Sequence, residues 1–81
     1  MSLRLQPVRV STDSDDGDGH LVFENDGLVA VLVHLSEAHG EAAGMWFLEA
    51  GFGRVGAAGQ RPSFRDLDEA QDWIAGRLAK A

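Results

Sequence analysis

Leu21-Val22-Phe23-Glu24-Asn25-Asp26-Gly27-Leu28-Val29-Ala30-Val31-Leu32-Val33-His34-Leu35 is the stretch that decides the fold. Two runs rich in β-branched and aromatic residues flank three turn formers, which is the pattern of a β-hairpin. The turn sets the register. A two-residue turn at Asp26-Gly27 puts Phe23 opposite Ala30, whereas a three-residue turn ending in a left-handed Gly27 puts Phe23 opposite Val29. The second arrangement is expected, because it gathers Leu21, Phe23, Val29, Val31, Val33 and Leu35 on one wholly apolar face. Val22, Glu24, Leu28, Ala30, Leu32 and His34 then share the other face.

Upstream of the hairpin, Leu3-Arg4-Leu5-Gln6 alternates apolar and polar residues as a half-buried strand does. Pro7 breaks that ladder and marks an edge strand or a bulge, and Val8-Arg9-Val10 resumes the alternation out of phase. Residues 11–19, Ser-Thr-Asp-Ser-Asp-Asp-Gly-Asp-Gly, contain no apolar side chain and are expected to form a solvated acidic loop.

Downstream, a polar connection over 36–44 leads to Met45-Trp46-Phe47-Leu48-Glu49-Ala50-Gly51-Phe52, a further strand. Alternation places Trp46, Leu48, Ala50 and Phe52 on its apolar side, and Met45, Phe47 and Glu49 on the mixed one. A glycine-rich loop follows. Asp66 fits a helix N-cap with Glu69 three residues on, and Leu67, Ala70, Trp73, Ile74, Arg77 and Leu78 recur at helical spacing. The expected architecture is a single α+β domain over 1–81. Its four-stranded antiparallel sheet has strands near 3–10, 20–24, 28–35 and 45–52, and one C-terminal helix near 67–79 packs on one face.

A chain of 81 residues lies near the lower limit for a single self-sufficient core. With no cysteine, disulfides, thiolate metal sites and cysteine chemistry are excluded. The opening residues Met1-Ser2-Leu3-Arg4-Leu5 lack an apolar leader, and the longest apolar run, Leu28 to Val33, is too short to span a bilayer, so a cytoplasmic bacterial-type protein with no membrane partner is expected. Seven Lys and Arg stand against thirteen Asp and Glu, giving a net charge of -6. That balance disfavours general phosphate-backbone binding. Residues 51–81, however, hold five bases against four acids, and Arg54, Arg61 and Arg65 could form a local basic patch.

One helix covers one sheet face. The expected second face carries Val22, Leu28, Leu32, Met45 and Phe47, each worth about 1.5–3 kcal/mol when fully buried. These residues are the expected dimer surface.

The chemistry-bearing constellations are sparse. Asp13, Asp15 and Glu24 occupy the first, third and twelfth positions of an EF-hand-type calcium loop, but Gly17 and Asp18 stand at the fifth and sixth, where that loop needs a ligand and a turn glycine. A solvated loop is the reading adopted. Glu24, His34 and Glu49 share a face in the expected register and form a candidate polar cluster, whose bland alternative is a strand-end histidine satisfied by a carboxylate. His34, Glu37, His39 and Glu41 have no spacing that a rigid element would preorganise for a metal. Gly51-Phe52-Gly53 is followed by no P-loop lysine. No catalytic residue, cofactor or metal is assigned.

Gly44-Met45-Trp46-Phe47-Leu48, Ser63-Phe64 and Asp66-Leu67-Asp68-Glu69-Ala70-Gln71-Asp72-Trp73-Ile74 resemble the ending of small three-strand-plus-helix modules such as the AP2-like arm domains of phage integrases. The resemblance covers about the last 35 residues and implies the sheet-plus-helix fold. Integrase arms read DNA with a basic sheet, and Trp46-Phe47-Leu48-Glu49-Ala50 has no Lys or Arg, so that role is not carried over. Stand-alone small bacterial domains are the nearer comparison, and they bring no activity. The expected function is a non-enzymatic homodimeric accessory or protein-interaction domain. The alternatives are a nucleic-acid-associated module using Arg54, Arg61 and Arg65, and a small enzyme with a His34-carboxylate site.

Overall fold

Among the described residues five strands, β1 (Leu3–Arg9), β2 (Asp18–Glu24), β3 (Gly27–His34), β4 (Trp46–Gly51) and β5 (Ser63–Phe64), precede a single α-helix, α1 (Leu67–Ala79). They pair antiparallel in the order β1-β2-β3-β4-β5, so each strand lies beside its neighbour in sequence. The computed structural model describes residues 3–11, 17–57 and 59–79, the side chains of 37–39 excepted. Short 3-10 turns at Glu37–Ala42 and Gly53–Val55 join β3 to β4 and follow β4.

The α+β class, the antiparallel sheet and the C-terminal helix are as the sequence leads one to expect, but the sheet has five strands where four were read. The addition is β5, whose two residues carry no periodicity of their own. Phe64 pairs with Trp46, and Leu48 N–H donates to the Pro62 carbonyl at 3.0 Å, which holds this segment against β4. β2 starts earlier than expected, at Asp18, because Gly19 passes under Val8 and Val10. A Cβ there would stand 2.7 Å from the Leu32 carbonyl and from Val10 Cγ2.

The expected hairpin register is not the one adopted. Glu24 pairs with Gly27, so the loop is Asn25-Asp26; Asn25 has φ 55°, whereas Gly27 lies outside the left-handed region. Asn tolerates that conformation because its short polar side chain can bond locally. Phe23 therefore opposes Leu28, and Val29 forms a bulge that restores Val22 opposite Ala30 and Leu21 opposite Val31. A second bulge, at Glu49, sets Leu32 opposite Leu48 and Val33 opposite Phe47.

The covered face is the reverse of the expected one. Val22, Ala30, Leu32 and Leu48 are fully or almost fully buried with Ala70 and Ile74 of α1, Val55 and Phe64. Leu21, Phe23, Leu28, Val31 and Phe47 lie on the other side and are half-buried. The physical reason is room. Ala30 faces Gly51, and Gly51 lies backbone to backbone against Gly56, so the Gly53–Val55 turn can approach the sheet and deliver Val55 to the core. Phenylalanines at 23 and 47 leave no such space. At the start of α1, Asp66 Oδ1 accepts the Glu69 N–H at 2.8 Å, as expected of the N-cap, while the Glu69 carboxylate takes Arg65. Trp73 packs against the core that contains Leu48 and meets Phe64 at 5.7 Å between ring centroids. Pro7 sits opposite His20 on β1, at one edge of the sheet, and the β1–β2 ladder runs without a bulge.

Candidate functional site

Pairing decides which polar side chains meet. Glu24 closes the hairpin opposite Gly27, at one end of β3, and His34 lies at the other end, seven residues or about 23 Å away at 3.3 Å per residue. Glu49 occupies the β4 bulge. The expected polar cluster of Glu24, His34 and Glu49 is therefore not assembled. Instead, the His34 ring stacks on Trp46 at 4.6 Å and 29°, and its Nε2 lies 3.2 Å from the Gly44 carbonyl. This is the satisfied strand-end histidine, with a backbone carbonyl in place of a carboxylate.

Asp13 and Asp15 of the calcium-loop pattern lie outside the described residues, as do the side chains of Glu37 and His39. Among the described residues no three His, Asp or Glu side chains gather as a metal site. Asp18 pairs with Arg9, Nη1 to Oδ1 at 2.6 Å.

The three arginines of the basic patch are divided between tasks. Arg54 Nη1 donates to the Leu78 carbonyl at 3.0 Å, closing the last turn of α1. Arg65 Nε donates to Glu69 Oε2 at 2.8 Å, and that bond raises the guanidinium's pKa above its ordinary value. Arg61 is exposed in the segment before β5.

Of the expected dimer surface, Val22 and Leu32 have no exposure and belong to the core under α1, a correction that follows from the two bulges. Leu28 and Phe47 remain on the uncovered face. Met45 is half-buried just before β4, where its carbonyl accepts the Leu35 N–H. The face opposite α1 is formed by Leu21, Phe23, Leu28, Val31, Val33 and Phe47, of which Val33 is almost fully buried, with the Arg4 guanidinium 4.4 Å above the Phe23 ring. The grouping of Leu21, Phe23 and Val31 was readable in the alternation; the side that faces solvent was not.

A second feature had no sequence signal. On the helix side of the sheet, beyond Leu32, His20 and His34 both meet the ring of Trp46, His20 at 5.0 Å and tilted by 50°. Cross-strand pairing brings them together, since His20 opposes Leu32 and His34 opposes Trp46. Next to them lies an open depression of about 480 Å³ lined by Pro7, Val8, Arg9, Asp18, Gly19, His20 and Trp46. His20 Nδ1 is sealed from solvent with no hydrogen-bond partner, so stacking and packing hold its ring.

No helix among the described residues is long and apolar enough to cross a membrane. No protein-family model, curated protein or solved structure matches the chain.

Proposed function

We propose that this chain is a non-enzymatic interaction module that pairs with a second copy of itself through the uncovered sheet face and offers an acidic surface to a macromolecular partner. One observation carries the reading: α1 covers one side of the sheet, while Leu21, Phe23, Leu28, Val31 and Phe47 line the other side half-buried, with no element of the described chain packed across them. Contiguous apolar side chains on three adjacent strands are the kind of patch that marks a contact site. The net charge of -6 supports an electrostatic role toward a basic partner rather than toward phosphate. Neither alternative has comparable support, because Arg54 and Arg65 are held by Leu78 and Glu69, and His34 faces a ring and a carbonyl.

Light scattering coupled to size exclusion tests the proposal. The expected result is a species of twice 8.7 kDa at micromolar concentration that dissociates on dilution. Val31→Glu on the uncovered face should give a folded monomer, with circular dichroism reporting the fold. A wild-type monomer that is insensitive to concentration overturns the reading.

A further inference from the structure

The depression beside Trp46 has the attributes of a small-ligand site. It is a shallow feature of about 480 Å³, wide open to solvent, in which Pro7, Val8 and Trp46 supply apolar surface and Arg9, Asp18 and His20 the polar groups. Trp46 and His20 line it with their rings in contact at 5.0 Å, so a flat ring laid across the pair would meet them where they face the depression, in tilted geometry. With Nδ1 of His20 sealed, Nε2 is the imidazole nitrogen left for a ligand to meet.

Arg9 sets the charge that the site prefers. Its guanidinium folds back over Gly17, where a Cβ would come within 2.7 Å of Nη2, and so stays beside the depression. Its ion pair to Asp18 is 81% exposed on the Arg9 side and 69% on the other, an exposed pair of the kind that contributes little and exchanges readily. The planar fork retains N–H groups that Asp18 does not use, and two parallel bonds to a carboxylate are the geometry it favours.

We propose that this depression binds a small planar aromatic carboxylate, the ring packed against Trp46 and His20 and the carboxylate on Arg9. The site does not depend on self-association. Pro7, Arg9, Asp18, His20 and Trp46 project to the helix side by register and Val8 to the opposite face, so most of the depression stays open when that face is covered.

The test is a titration of the 15N-labelled protein with 2-naphthoate, followed by amide and indole N–H shifts. Saturable shifts at Gly19, His20 and the Trp46 indole, with the Trp73 indole unmoved, are expected. Arg9→Gln should weaken 2-naphthoate at least tenfold and leave the neutral 2-naphthol unchanged, while Arg61→Gln should alter neither. Arg9→Lys, which keeps the charge without the fork, should retain part of the affinity. The proposal is overturned if shifts fail to saturate, if Arg9→Gln leaves 2-naphthoate binding as it was, or if a naphthyl ammonium ion binds more tightly than the carboxylate.

Discussion

Gly51 and Gly56 press backbone against backbone, and neither position has room for a side chain. A Cβ on Gly56 would collide with the carbonyl group of Gly51, while one on Gly51 would meet Gly56 N at 3.0 Å and Val55 C at 3.1 Å. The contact brings the turn after β4 onto the sheet, and Val55, 1% exposed, reaches the core through it. Gly56→Ala should therefore destabilise the protein by about 1–3 kcal/mol, the range for overpacking, and Gly51→Ala by less. Urea unfolding of the two variants against wild type gives both values; equal stability of Gly56→Ala and wild type would refute this close approach.

The hairpin loop makes opposite demands on two neighbouring turn formers. Asn25 carries the positive φ, whereas Gly27 is exposed and its nearest obstacle to a Cβ is the Glu24 carbonyl at 3.6 Å. Asn25→Val should cost on the order of 1–2 kcal/mol and Asn25→Gly little. Gly27→Val, which the sequence alone would mark as the damaging change, should stay within about 0.5 kcal/mol of wild type. Thermal melts of the three variants rank them, and the reverse order would return the left-handed residue to Gly27.

The two sheet faces should answer truncation differently. Leu32 has no exposure and packs with Leu48 and Ile74, so Leu32→Ala should cost about 2–5 kcal/mol. Phe47 is half-buried on the uncovered side, so Phe47→Ala should cost less in the folding of the single chain and should weaken self-association. Denaturation measured at two protein concentrations separates the effects. A larger folding loss at Phe47 than at Leu32 would place α1 on the opposite face.

These contrasts show where sequence reasoning reached and where it stopped. The hairpin, the helix over 67–79 and the Asp66 cap are local, set by periodicity and by one side chain bonding its own backbone, and local signals are visible along the chain. The helix-bearing face is a global choice. Both faces of β3 are apolar, so alternation separates Val31 from Leu32 without ranking them. The ranking came from Ala30 and Gly51, small residues on different strands that meet only once a bulge has set the register. The candidate site was hidden for the same reason. His20 stood at the end of an acidic loop and Trp46 read as core, and the pairing of three strands was needed to bring the two rings within 5.0 Å.

The edges of the sheet limit what an assembly of this chain can become. At one end stands β1, whose Pro7 has no N–H to give another strand, and at the other β5, only two residues long. Neither edge offers the long, flat, unpaired row of donors and acceptors on which strands from successive molecules stack. Growth by strand addition is disfavoured at both ends, which leaves the face as the surface through which the proposed pairing would run. If two copies pair through that face about a twofold axis, as proposed, the pairing uses the face up, and the assembly would stop at two chains instead of continuing as a filament.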